Sequence, residues 1–474
     1  MCQNLSLLAL CLIHTKLLAL FVMKCMRYVF ALFLFWSLNH TAFSQNSTVT
    51  LIGKAPRLKQ NSIRLFHTDD YITERQIQIA QTTLDSEGNF TLVAPLEQVS
   101  YLHLLVGSVK NPFYAEPNQT YYIEITDESG AEMFYAPPID TLALPFRIGR
   151  FNYDYNVFTV QNYDKFITGT LREDARKFIA LTDSQYQHVT HPFFQQHKTY
   201  KLAELALSSR AMGQKTLFDT YLLNKPILYH HPEYMYFFRS YYGGMLTKTV
   251  NLSKNEPIKR CVMEGGPYDT LVALIEKLEL VKTHDLAELF VMQGLFELYY
   301  AGHFDKNKIE AILMQAQTSS SNTEIIKISA NFIQIINRLR TGSPAIPFDG
   351  KDTEGNIISI SSYFDKPVYL TFFDPLNPSS MKEIPAIKNL YDKYKKDIHF
   401  ISVCSKCSYR SLHDFMQTNQ LKWQFLIIDA NVESEYDVFN YPTAFLLKRQ
   451  GYFFRSPAEL PSQGIDEYLY KVRR

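Results

Sequence analysis

The spacing of apolar positions changes along the chain, and each regime predicts a different architecture. From Ser47 to about Ile125, short runs rich in Val, Ile, Thr and Phe are divided by turn residues. They are Thr48–Ile52, Ser62–Phe66, Gln76–Thr83, Asn89–Val93, Tyr101–Val106 and Thr120–Ile125. Short strands at this spacing predict a small β-sandwich. Asp85-Ser86-Glu87-Gly88 reads as a hairpin turn, because Gly88 can take a positive φ, and Pro117-Asn118-Gln119 as a second turn.

From about Asn152 to Arg340 the period becomes helical. Leu271, Leu274, Ile275 and Leu278 fall on one helix face, as do Ile309, Ile312, Leu313 and Ala316. Asp285–Tyr300 and Thr323–Arg340 predict longer helices, the second capped by Asn322. The aromatic run Tyr234–Tyr242 reads as core packing rather than a ligand-binding stripe, since aromatics at helical spacing face other helices. His230, His231 and His284 lack a third ligand at metal-binding spacing, so no metal site is read there.

After Gly342-Ser343-Pro344, read as a linker, the pattern changes again. Apolar runs Ile357–Ile360, Val368–Phe373, His399–Val403, Gln424–Ile428 and Ala444–Leu447 alternate with helical Met381–Tyr394, Leu412–Thr418 and Ile465–Val472. Such alternation predicts an α/β sheet covered on both faces. The fold class is therefore multidomain α+β: a leader over 1–44, a β-sandwich over 45–140, a helical region over 141–341 and an α/β domain over 342–474.

Charge and cysteine usage narrow the functional classes. The 48 basic and 47 acidic residues leave a net charge of +1 with no like-charged block, which argues against a dedicated nucleic-acid binder. Lys24 and Arg27, the apolar Val29–Leu38 and the small-x-small Ala42-Phe43-Ser44 form a secretory signal pattern. Export is the expectation, with membrane association through an uncleaved leader as the alternative. Cys2, Cys11 and Cys25 leave with the leader, so the mature chain keeps Cys261, Cys404 and Cys407. Cys404 and Cys407 are spaced C-x-x-C, which an oxidising compartment allows to be a disulfide.

The last 130 or so residues resemble the TlpA/ResA-like branch of the thioredoxin superfamily. The matching features, in order, are Ala345-Ile346-Pro347-Phe348, the Gly355–Tyr363 turn and strand, the central strand Val368–Phe373, the helix Met381-Lys382-Glu383-Ile384-Pro385, and the Tyr441-Pro442-Thr443 cis-proline turn. The upstream β-sandwich and helical region resemble the N-terminal portion of Bacteroidetes-type members. The resemblance implies a periplasmic or cell-envelope protein of a Gram-negative bacterium. It also implies thiol–disulfide chemistry from a C-x-x-C at the start of the first helix. Here the gapless match sets Asn377 and Ser380 at those positions, so the helix start is kept and its sulfur is absent. Glu383 matches the family's acidic residue and reads, without a thiol nearby, as a solvated or N-terminal helix charge. Tyr441 and Pro442 would border the vacated site, where extended polypeptide could dock.

Two functional classes follow. One is a binding module without catalytic residues at the usual site, without cofactor or metal, and with polypeptide as its partner. The other is a thiol-disulfide oxidoreductase using the displaced pair Cys404 and Cys407. These follow a strand predicted to end at the same pole of the sheet, with Lys406 and Arg410 adding positive charge.

Overall fold

Alternating burial turns the N-terminal strands into two facing sheets. The computed structural model describes residues 47–58, 62–106, 109–127, 132–137, 140–405, 407–438 and 440–473. The leader, residues 1–44, and Lys406 lie outside the described residues. The strands are β1 (Thr48–Lys54), β2 (Ser62–Thr68), β3 (Gln76–Thr83), β4 (Asn89–Pro95), β5 (Ser100–Val106), β6 (Val109–Ala115), β7 (Thr120–Ile125) and β8 (Met133–Tyr135). They form sheets of order β4-β1-β7-β8 and β3-β2-β5-β6. Leu51, Phe90 and Ile123 from one sheet meet Leu65, Leu104 and Phe113 from the other in a single buried core.

Two details differ from the sequence expectation. β6 is a strand that the spacing of apolar residues did not single out; it holds Pro112 at the sheet edge, where a missing N–H costs no central ladder bond. The Asp85–Gly88 turn does carry Gly88 at φ 85°, and a side chain there would strike the backbone of Ala55 and Pro56. It does not close a hairpin, however: β3 and β4 belong to different sheets, so this turn carries the chain across the sandwich.

The twelve described helices from Leu144–Gln161 to Thr323–Arg338 follow. Tyr234, Phe237, Phe238, Tyr241 and Tyr242 of the helix Pro232–Tyr242 are buried, as expected for core, while Tyr236 stays 37% exposed. The helix Thr323–Arg338 is capped by Asn322, which accepts from the Glu324 N–H at 3.0 Å. His230 and His284 face Glu324 and Glu276. A buried polar joint ties sandwich to helices: the Tyr114 hydroxyl of β6 donates to Glu233 at 2.7 Å, and His197 lies 3.0 Å from the same carboxylate. Burial alone would raise the Glu233 pKa, but His197, His231 and Tyr114 outweigh it and hold it at about 2. Burial pushes His231 down to about 4.

The last part is a seven-stranded sheet of β9 (Asp349–Lys351), β10 (Ile357–Ser359), β11 (Val368–Phe372), β12 (His399–Cys404), β13 (Gln424–Ile427), β14 (Thr443–Leu447) and β15 (Phe453–Ala458). Its order is β10-β9-β13-β12-β11-β14-β15. All five β11 residues are buried because both faces are covered. Tyr369 packs with Ile384, Leu412 and Leu469 from three helices on one side, and Leu370 and Phe372 pack with Ile360 and Tyr436 on the other. β9 has three residues and β15 carries Pro457, so neither shows a clear strand pattern. Gly342-Ser343-Pro344, expected as a linker, is docked: Gly342 N–H donates to Phe453 O at 2.7 Å, and Phe453 N–H to Ser343 O at 2.9 Å. Arg64 of β2 reaches Asp429 at 2.9 Å, joining the first and last parts.

Candidate functional site

The central strand β11 delivers the chain to the C-terminal pole of the sheet, where ligands of open α/β sheets bind. Asp374 there makes an Asx turn, accepting from the Leu376 N–H at 2.9 Å, and the helix Pro378–Tyr394 begins immediately after Asn377. Asn377 Oδ1 accepts from the N–H groups of Ser379 at 2.8 Å and Ser380 at 3.3 Å, and Pro378 takes the first helical position. The Ser380 side chain is buried, and its Oγ accepts from the Asp374 N–H at 3.3 Å. Asn377 Oδ1 and Ser380 Oγ therefore both serve as acceptors that build the helix start.

Glu383 is not the solvated charge expected from sequence. It is 7% exposed, and its carboxylate accepts from the Ser462 N–H at 3.0 Å and from the Ser462 hydroxyl. The second turn of the helix faces the Pro461–Gln463 turn, so the buried charge is met by two donors from a segment far away in sequence. Nothing in the spacing of residues 383 and 462 announces this contact.

One strand over, β12 runs parallel to β11, with Phe372 opposite Val403. Phe373 donates its N–H to Val403 O at 3.0 Å, so Cys404 ends its strand at the same pole. Cys404 and Cys407 form a disulfide with Cα atoms 5.9 Å apart. Cys404 is fully buried among Phe373, Leu412 and Phe425, whereas Cys407 is half-buried. The next helix, Tyr409–Asn419, opens with a capping box: Ser408 Oγ accepts from the Ser411 N–H at 3.1 Å, and Ser411 Oγ from the Ser408 N–H at 2.9 Å. Arg410 is exposed. Cys261 is a free, buried thiol in the helical region, and burial raises its pKa.

The third segment at the pole is the turn before β14. Thr443 pairs with Phe372, and the Tyr441–Pro442 peptide is cis. The Tyr441 hydroxyl bonds to Glu433 and Ser405, and burial followed by the Glu433 contact pushes its pKa up to about 12. The structure thus gathers Asn377, Ser380, the Cys404–Cys407 disulfide, Tyr441 and Pro442 at one end of the sheet, with Glu383 turned toward the Ser462 side. Ser405 and Glu433 join the site without having been legible as members, since neither sits in a recognisable motif.

Parallel β11 and β12, antiparallel β14 and a cis-proline turn at the head of β14 define a thioredoxin-like domain. Residues 341–453 match the AhpC/TSA family. Over 139 residues the chain is 28% identical to thiol-disulfide oxidoreductase ResA of Bacillus thuringiensis subsp. konkukian, covering 28% of this chain and 80% of that protein. The corresponding figures for ResA of Bacillus subtilis are 30% over 112 residues, covering 23% and 63%. A thiol:disulfide interchange protein from Bacteroides sp. aligns at 19% identity with a TM-score of 0.27, over 29% of this chain and 93% of that one. The C-terminal part of the chain is a thioredoxin-like domain homologous to ResA-type thiol-disulfide oxidoreductases.

Proposed function

We propose that this protein is exported and acts as a binding module, its thioredoxin-like domain presenting polypeptide-docking surface at the cis-proline pole without thiol chemistry at the first helix. The observation that carries this reading is the use made of the helix start. Reactive cysteines in this fold depend on free N–H groups at a helix N-terminus to stabilise a thiolate. Here the Ser379 and Ser380 N–H groups are taken by Asn377, and Ser380 Oγ accepts from Asp374. An amide and a hydroxyl so engaged undergo no disulfide exchange. Export is supported by the leader pattern in residues 24–44.

A second reading, thiol–disulfide exchange at Cys404–Cys407, is favoured by the half-buried Cys407, two residues after the Ser405 that bonds to Tyr441. Attack on Cys407 Sγ would release the sulfur of Cys404 into an apolar surround, where a thiolate is disfavoured. The capping box also takes the Ser408 and Ser411 N–H groups, two of the donors nearest Cys407 in the chain. The binding reading is therefore preferred. Measurement of the Cys404–Cys407 potential separates the two: a bracing disulfide lies below about −300 mV, and a catalytic one lies higher. A potential in the higher range together with insulin reduction by the wild-type chain would sink the preferred reading.

A further inference from the structure

Sandwich, helices and thioredoxin-like domain converge on a cleft of about 1300 Å³ that the preceding function does not use. Its size exceeds that of an ordinary small-molecule pocket, and it lies where parts of a chain meet, a common place for ligands. Two aromatic pairs line it. Tyr71 and Tyr236 meet edge to face with centroids 6.0 Å apart, and Phe296 and Tyr300 pair at 4.9 Å along one helix face. Tyr236 and Tyr300 remain 37% and 47% exposed. Each therefore offers ring surface to a bound molecule.

The polar lining has a specific gap. Gln293 is 96% buried at 4% exposure, and its Nε2 donates to Arg239 O at 3.0 Å and to Glu297 Oε1 at 2.9 Å. Two acceptors on the nitrogen fix which way the amide points. Its Oε1 is buried with no hydrogen-bond partner, and Gln293 lines the cleft. Leaving such an acceptor unmet costs free energy that an incoming donor would recover. His103 Nδ1, also in the lining, is similarly buried and unmatched.

Charge selects the ligand class. The lining holds four basic side chains (Arg75, Lys110, Arg239, Arg338) and four acidic ones (Glu74, Glu297, Glu435, Asp437). Arg239 pairs with Glu74, Arg338 with Asp437 at 2.6 Å, and Arg75 with Asn331 at 2.6 Å. Lys110 donates to Gln76 at 2.8 Å, while Glu297 accepts from the Gly244 N–H at 2.9 Å. Glu435 feels Arg338, Arg64 and Lys110. With the signs balanced, a charged ligand gains little and forfeits its hydration. A neutral molecule whose hydroxyls both donate and accept, and whose flat apolar faces stack on tyrosine rings, satisfies every feature at once. From the unmatched Gln293 acceptor and the two aromatic pairs that share its lining, we infer that the three-way cleft binds a neutral oligosaccharide.

The test uses the full chain. A neutral-glycan array is followed by calorimetric titration with maltotriose, cellotriose, xylotriose and triacetylchitotriose, compared with trigalacturonate and an uncharged tripeptide. At least one neutral saccharide is expected to bind, and Gln293→Leu and Tyr236→Ala are each expected to weaken it by at least about tenfold. Tyr236→Ala carries the test if Gln293→Leu does not fold, because the Tyr236 ring is part-exposed. Silence across the array, preference for trigalacturonate or the tripeptide, or binding unchanged in a folded Tyr236→Ala chain overturns the inference. None of these results depends on the cis-proline pole, whose residues are left intact.

Discussion

Two neighbouring junctions in the thioredoxin-like domain solve the same construction problem with opposite placement of sulfur. β11 and β12 are parallel and end at one pole, and each hands the chain to a helix with a polar cap, Asn377 in one case and Ser408 in the other. The first junction has no cysteine. The second has a disulfide, but its cysteines precede the cap: Cys404 closes the strand and Cys407 stands one residue before Ser408. The difference teaches that a cysteine near a helix start is not thereby activated. Activation needs the helix N–H groups to be free to face the sulfur, and at both junctions neutral side chains have already claimed two N–H groups at the helix start.

The strongest way to sharpen this comparison is to return sulfur to the first junction. Asn377→Cys with Ser380→Cys is expected to raise insulin reduction above the wild-type background by at least about 100-fold, the scale on which a nucleophile controls turnover. No increase in a folded double variant would show that the pole differs from an active site in more than its sulfur. Next in size is Glu383→Ala. It leaves the Ser462 N–H and hydroxyl without their charged acceptor, and chemical denaturation should show a loss of about 2–3 kcal/mol. A solvated glutamate would show almost none.

Cys407→Ser opens the second junction. Closing so short a loop contributes about 2 kcal/mol in the chain-entropy view, and that loss should appear in denaturation without any change in background insulin reduction. Residual wild-type activity that disappears in this variant would transfer the chemistry to the displaced pair. The smallest effects belong to the caps. Asn377→Ala and Ser408→Ala should each cost about 1 kcal/mol by thermal or chemical unfolding. Clearly unequal losses would break the equivalence drawn between the two helix starts.

Much of this site was legible before any coordinates. The Asn-Pro step at 377–378 states a helix cap by its own chemistry, and Tyr441-Pro442 marks a special turn, because caps and proline turns are set by residues adjacent in sequence. The aromatic run at 234–242 was legible as core for a similar reason, since its helical period fixes which rings share a face. What the sequence misjudged involved distant partners. Glu383 looked solvated because residue 462 is out of view, and Gly342-Ser343-Pro344 looked free because its partner is β15.

By itself, then, the sequence determined the succession of strand, helix and α/β regimes, the absence of cysteine from the helix start at 377–380 and the presence of a cysteine pair at 404 and 407. These are matters of local period and residue identity. Only the tertiary structure decided that Cys404 is sealed in the core while Cys407 is half-buried, that Tyr441 reaches Ser405 and Glu433, and that Gln293, in the lining of a three-way cleft, keeps a buried oxygen unmatched. Burial and hydrogen-bond satisfaction are properties of surroundings, and surroundings are assembled from segments that no local pattern connects.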